Sequence, residues 1–382
     1  MKQNIAIIDP LGAHGSSHHF YLFGQAEGLI NNGCSISLYT NNETANPNID
    51  GLRFFTFYKN IFKSKFKFIS GIKWMIGSIF SVFHARFSGI IIFHFHIFYT
   101  NILVLFNLLL VKLLFGKVVL TIHDVRSFTN SFDSSIIERI TYKLTDLILT
   151  HNEFSKSEII KINPNLSSSI YIVPHGNYTP FINVKNEKAR SRKHLEIPNN
   201  KKVLLFFGMI KEVKGLDVLL HALKDVIKEN PDVLLLIAGK VWENDFTNYQ
   251  RIIDENNLSD YCLLHIKFIP PDEVEHYYCA ADLVVLPYKK IYQSGVLVMT
   301  LSYGKPALVS DLPPLKEVVT DMQTAFLFES KNSISLAEKL NLILLDSEKL
   351  EEVGINGEKL IKIKYNWNKI GRQTKQAYQS LY

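Results

Sequence analysis

The sequence predicts an α/β protein made of two doubly wound, parallel-sheet halves, and three observations carry that prediction. Short, near-continuously apolar, β-rich runs alternate with longer helical stretches, the pattern of strands covered by helices on both faces. The alternation breaks off in a polar, basic stretch and then starts again. At 382 residues the chain is too long for one ordinary core and suits two domains of similar size.

Composition narrows the class further. Apolar residues make up 47% and charged residues 20% of the chain, and no long Pro/Gly/Ser tract occurs, so a folded protein with a large core is expected. The net charge of +6 points to an anionic partner, a phosphorylated ligand or lipid headgroups. Nucleic acid is not expected as a partner, because no nucleic-acid-binding module is recognisable. Cys34, Cys262 and Cys279 are odd in number and widely spaced, which favours buried thiols in a reducing compartment. The N-terminus passes straight into a strand without the features of a signal peptide, so a cytoplasmic location is expected.

Taken in order, the first half shows strand-like runs at 5–9, 35–40, 53–58, 90–95, 118–122, 147–150 and 170–173, with a helix at 17–32 closed by Gly33. The apolar segment 97–115 is about as long as a membrane-spanning helix. Asn101, Asn107 and Lys112 interrupt it and strands bracket it, so a helix buried against a sheet is expected. Segment 58–87 mixes lysines with aromatics and reads equally as a basic amphipathic surface for an anionic membrane or as a helix with its aromatics in the core. After Pro174-His175-Gly176 the chain turns polar and basic through 186–193, and the second set of strands follows at 203–207, 233–238, 262–268, 283–286, 307–310 and 325–328. The predicted division is a first domain at 1–180, a linker at 181–200, a second domain at 201–364 and a last helix at 365–382 that packs back on the first domain. In such sheets ligands sit beyond the carboxyl ends of the strands.

Two loops of the second half could hold an anion. In 286–311 a strand leads through a basic loop into an apolar helix opened by Ser294 and Gly295 and closed by Tyr303 and Gly304; the first turn of a helix offers unpaired N–H groups and partial positive charge. In 207–217 Lys211 and Lys214 lie between Gly208 and Gly215 ahead of a helix, which suits a diphosphate, although the same lysines in a solvated loop would touch only water. No Asp-x-Asp pair occurs at the strand ends, so no metal is expected. Nine histidines fall in the first half, and His96 and His123 sit near strand ends; a lone histidine there is ordinarily a packed, hydrogen-bonded residue. The pair His18-His19 begins a helix and is expected on the surface or at an acceptor rim.

Residues 208–217, 233–239, 282–288 and 293–311 resemble, in order and spacing, the nucleotide-sugar-binding half of the retaining GT-B glycosyltransferases of group 1, the family 4-like superfamily. In the first half Ile122-His123-Asp124 resembles the family's His-Asp loop, Val173-Pro174-His175-Gly176 its signature before the linker, and 12–16 its Gly-rich loop. The resemblance implies a GT-B fold, two Rossmann-like domains facing across a cleft. It implies transfer of a sugar from a UDP- or GDP-sugar to a glycan or lipid-linked acceptor with retention of configuration. It places Lys211 and Lys214 on the diphosphate with Gly208, the N–H groups of Ser294, Gly295 and Val296 on phosphate, Gln293 on the sugar, and the base near Gly239, Lys240, Phe268 and Ile269. His123 would orient the acceptor or the departing sugar as the catalytic residue, with His14, Gly15, Asp124 and His96 in acceptor-side or cleft loops. No cofactor is implied, since the nucleotide sugar is a substrate.

Two departures stand out. Met209 occupies the place of the usual arginine. The two glutamates common in relatives are missing: the second falls on Met299 or Thr300 and the first near 291–293, while Glu275 and Glu317 are out of register. A Gln-Ser-Gly-Val run, Gln293 to Val296, stands instead. A nucleotide-sugar 2-epimerase and a non-catalytic nucleotide-sugar-binding subunit share this architecture and remain alternatives.

Overall fold

A computed structural model describes residues 3–14, 17–126, 135–182, 184–242 and 245–382. The chain divides into two compact units, Met1–Gly176 with Tyr365–Tyr382, and Asn177–Lys364.

The first unit runs β1 (Asn4–Ile8), α1 (His18–Asn31), β2 (Ser35–Asn41), β3 (Arg53–Tyr58), α2 (Lys67–Phe87), β4 (Ile92–Ile97), α3 (Ile102–Leu113), β5 (Lys117–Ile122), α4 (Ser135–Lys143), β6 (Leu147–Thr150), α5 (Glu153–Ile162) and β7 (Ile170–Ile172). All seven strands are parallel in the order β3-β2-β1-β4-β5-β6-β7, so the winding reverses between β1 and β4. β4 begins two residues later than expected, because Gly89 turns at φ +78° after α2, and His96 therefore lies inside the strand. The apolar segment 97–115 is broken at its start, where the Asn101 side chain accepts from the N–H groups of Leu103 and Val104 at 2.9 and 3.0 Å and opens α3. The resulting 12-residue helix falls short of the roughly 20 residues that cross a bilayer.

The second unit continues with α6 (Lys188–His194), β8 (Lys202–Phe207), α7 (Leu216–Glu229), β9 (Val233–Ala238), α8 (Thr247–Glu255), β10 (Cys262–His265), α9 (Val274–Ala280), β11 (Leu283–Leu286), α10 (Gly295–Ser302), β12 (Ala307–Ser310), α11 (Pro313–Lys316), β13 (Phe326–Phe328), α12 (Ser333–Ile343) and α13 (Ser347–Lys364). Its six parallel strands are ordered β10-β9-β8-β11-β12-β13, with the reversal between β8 and β11. The buried face of α7, led by Leu216, Leu219 and Leu223, covers the sheet beside α12. Residues 181–200, expected as a linker, hold α6, which packs on α9. The charge run misled because Arg192 is buried: its guanidinium donates to Ala280 O at 3.1 Å, Asn199 O at 2.7 Å and Asp282 Oδ2 at 2.7 Å.

The last helix, α14 (Trp367–Gln379), belongs to the first unit and lies against α1. Glycines let the two backbones meet. A Cβ on Gly28 would stand 2.1 Å from Trp367 O, and one on Gly371 2.1 Å from Gly28 O. Tyr378 of α14 reaches His94 Nδ1 at 2.6 Å.

Candidate active site

In the second unit, three loops at the carboxyl ends of β8, β9 and β11 are locked together by glycines. Gly208 ends β8 at φ +102° and Gly239 ends β9 at φ +153°, and a Cβ on Gly239 would lie 1.8 Å from Gly208 O. Gly215, at φ +68°, opens α7, and a Cβ there would lie 1.8 Å from Pro287 O in the loop after β11. Lys289 N–H donates to Val213 O at 2.8 Å, and its Nζ pairs with Asp217 Oδ2 at 2.7 Å. The nearest atom a Cβ on Gly208 would meet is Val296 Cγ2, at 3.3 Å, so the first turn of α10 abuts the end of β8.

The two expected lysines lie on the loop between β8 and α7, each beside an aromatic ring. Lys211 Nζ lies 4.5 Å from the centre of the Trp242 ring, and Lys214 Nζ lies 3.9 Å from that of Tyr288, so an aromatic face steadies each ammonium group. Ser294 caps α10, its Oγ accepting from Leu297 N–H at 3.1 Å. Gly295 and Val296 occupy the first turn, where no preceding carbonyl can take their N–H groups. Gln293 Nε2 is buried without a hydrogen-bond partner. Lys240 is exposed, Phe268 half-exposed, and Ile269 buried beneath the surface where a base was expected.

The missing glutamates have a local explanation. Met299 and Thr300 are buried in α10, and Thr300 Oγ1 donates to Val296 O at 2.7 Å, so neither position faces open space. Glu275 is committed elsewhere, accepting from Asn186 N–H at 2.7 Å, and Glu317 is exposed.

In the first unit the strand ends converge on a cluster of imidazoles. His151 Nδ1 donates to Val173 O at 2.9 Å, which leaves its Nε2 as the acceptor 3.1 Å from His123 Nδ1. His123 must then carry its proton on Nδ1 and accept at Nε2 from His96 Nδ1, 3.2 Å away. The chain ends at His96 Nε2, a buried acceptor without a hydrogen-bond partner. Burial, reinforced by the neighbouring rings, pushes His96 and His123 well below the ordinary histidine value; burial takes His151 down to about 4 and His175 to about 3. The rings are neutral at pH 7, and the relay has one direction.

His123 is buried, with both ring nitrogens in hydrogen bonds to neighbouring imidazoles. His18 is a correction: instead of lying on the surface it is buried, with Nε2 3.0 Å from Asp9 Oδ2 and its ring 5.0 Å from that of His123. His18, His96 and His123 offer ring nitrogens within 4.8 Å of one another, a spacing a metal ion would accept. The bond between His96 and His123 accounts for one of those approaches without an ion. His14 stacks on Phe62 at 3.6 Å and pairs through Nδ1 with Glu43 Oε2 at 2.7 Å. Asp124 is half-buried beside His123, and Gly15 lies outside the described residues. The sequence missed Asp9, His18 and His151 as partners. For Asp9 and His151 the signal is positional, since both, like His123, fall one residue past a strand of the parallel sheet.

Comparisons with known proteins fit this arrangement. Residues 187–360 match the family Glycosyl transferases group 1. Spore coat protein SA of Bacillus subtilis is 24% identical over 247 residues, 61% of this chain and 64% of that protein. Lipopolysaccharide 1,2-N-acetylglucosaminetransferase of Salmonella typhimurium is 26% identical over 215 residues, 54% of this chain and 55% of that protein. The chain thus spans less than two thirds of the length of these curated relatives. The solved structure of Anabaena Alr3699/HepE in complex with UDP and glucose superposes with a TM-score of 0.77 at 16% identity, covering 99% of this chain and 100% of that one.

Proposed function

We propose, from the match of residues 187–360 to the group 1 glycosyltransferases and from the GT-B fold, that this chain moves a sugar from a UDP- or GDP-sugar to a glycan or lipid-linked acceptor with retention of configuration. The observation that supports the reading is the glycine-locked junction of the β8, β9 and β11 loops, whose segments carry Lys211 and Lys214 and whose β8 end abuts the first turn of α10. HepE on the same fold holds UDP and glucose, which favours a UDP-sugar.

In the reaction the bond between the sugar's anomeric carbon and the diphosphate oxygen breaks, the acceptor's hydroxyl oxygen bonds to that carbon, and the hydroxyl proton passes to the departing diphosphate. Negative charge grows on the departing diphosphate. The two ammonium groups and the N–H groups of Gly295 and Val296 are fixed before the charge develops, which is the condition for electrostatic stabilisation of a leaving group. Lys211 replaces the arginine missing at Met209 as a point charge, without a guanidinium's two-pronged grip. Gln293 Nε2, buried and unpartnered, is the donor placed to bond the sugar or ribose.

The test is a panel of UDP- and GDP-sugars incubated with lipid extracts and glycans, with nucleotide release followed and products identified by mass spectrometry. Acceptor-dependent release with a glycosylated product is expected. Conversion of the sugar nucleotide without an acceptor would overturn the reading in favour of an epimerase, and binding without turnover in favour of a non-catalytic subunit.

A further inference from the structure

We propose that α2, α3 and α4 of the first unit form a docking surface for an anionic lipid bilayer. The polarity of α2 is inverted relative to an ordinary surface helix, whose large apolar side chains face the core. Its inward face is built of Gly77, Ser78, Ser81, Val82 and Ala85. Gly77 lets Tyr58 approach, since a Cβ there would lie 2.6 Å from the ring, and Ser78 Oγ meets Tyr58 OH at 3.2 Å. The outward face repeats large apolar residues every fourth position, Phe68, Ile72, Ile76 and Phe80, with Phe68 79% and Phe80 62% exposed. The patch continues onto α3, which packs on α2 and exposes Leu109 and Leu113, and onto α4, which exposes Ile136. Of the 27 large apolar residues exposed among the described residues, 16 lie between Phe66 and Ile140, so the surface is one region rather than scattered residues.

Charge selects the occupant. From position 51 to position 123 the sequence has nine lysines and arginines and no aspartate or glutamate. Five of the lysines, Lys59, Lys63, Lys65, Lys67 and Lys73, gather at the start of α2, and among the described residues none of them is in a salt bridge. Two copies of such a face would repel each other, whereas lipid phosphates would neutralise the lysines while acyl chains receive the Phe and Ile side chains. α2 has the length and composition of a membrane-crossing helix. The helix is nevertheless tied to the sheet, through Ser78 to Tyr58 and through His84 Nδ1 to Tyr39 OH at 2.9 Å, so it lies along the bilayer surface. The proposal is independent of the donor site.

The full chain is sedimented with vesicles of phosphatidylcholine alone and of phosphatidylcholine with an equal part of phosphatidylglycerol. Binding is expected only to the second kind and should weaken as salt is raised. The triple variant K63Q/K65Q/K67Q should bind on the order of 100-fold more weakly, at about 1 kcal/mol per lysine. F68S/F80S should also lose binding while its thermal melting stays at or above that of the parent, since both side chains are exposed. Failure to bind the anionic vesicles, equal binding to both kinds with the lysine variant unaffected, or a solution dimer that F68S/F80S dissociates would each overturn the proposal.

Discussion

His123 sits between two other imidazoles, and the burial that keeps all three neutral makes the first unit sensitive to acid. In the unfolded chain histidine titrates near 6.5, while His94 and His175 are held down at about 3 and His151 at about 4. Their folded pKa values are depressed, so the unfolded state binds more protons between those values and pH 6.5. The stability they contribute is therefore complete above about pH 6.5 and falls as the pH drops below it, by up to roughly 1.4 kcal/mol per pH unit for each ring. Thermal melts from pH 7.5 to 4.5 should show Tm falling with the main slope below 6.5, and H151Q should flatten that slope. A second residue-scale expectation concerns the diphosphate: K214A should raise the donor's Kd about tenfold to 100-fold, as loss of a hydrogen bond to a charged group implies, with K214R restoring part of it. Isothermal titration with UDP reads this directly, and an unchanged affinity would remove Lys214 from the phosphate site. His123 and Lys214 were legible because each stands in a recognisable short motif. His151 stands one residue past a strand, but His18 opens α1, and its meeting with Asp9 and His123 depends on how that helix packs on the sheet, which no local pattern in the sequence encodes.

At the scale of elements, α14 is held by absence of side chains. With Gly28 and Gly371 facing each other across the crossing, G371A pushes a methyl group to within 2.1 Å of Gly28 O. It should lower stability by about 1–3 kcal/mol, the cost of overpacking, and expose Trp367 to fluorescence quenching. α6 gives the complementary case. R192L leaves Asp282 without its buried partner and should lower Tm by several degrees, whereas a true linker would tolerate the change. The strands of both sheets could be read from their apolar runs, and α14 from its position after the last strand. α6 was concealed because a run of Lys and Arg looks like a solvated segment, and only the carbonyls of Ala280 and Asn199 reveal where Arg192 goes. α2 was undecidable from periodicity, since an apolar stripe is the same whether it faces a core or a bilayer.

At the scale of the whole molecule, the duplicated alternation of strands and helices and the last helix were legible in the sequence, whereas the strand order and the place where each sheet reverses its winding came from the structure. The chemistry is divided in the same way. Lysine cations held against aromatic rings and backbone donors belong to the second unit, and neutral, interlinked imidazoles to the first. Positions 291–300 carry no carboxylate for ribose or sugar, which leaves Gln293 and backbone groups to hold the donor. Q293A should therefore raise the donor KM with little change in UDP affinity if Gln293 bonds the sugar, a distinction steady-state kinetics and titration can draw together. The central claim, donor-sugar transfer at the junction of the β8, β9 and β11 loops, is tested most directly by following nucleotide release from a UDP-sugar with and without acceptor, in the parent and in K211A/K214A. The account predicts release that requires the acceptor, yields a glycosylated product and is nearly abolished in the double variant. Release at parental rate from K211A/K214A, or turnover of the sugar nucleotide without any acceptor, would contradict it.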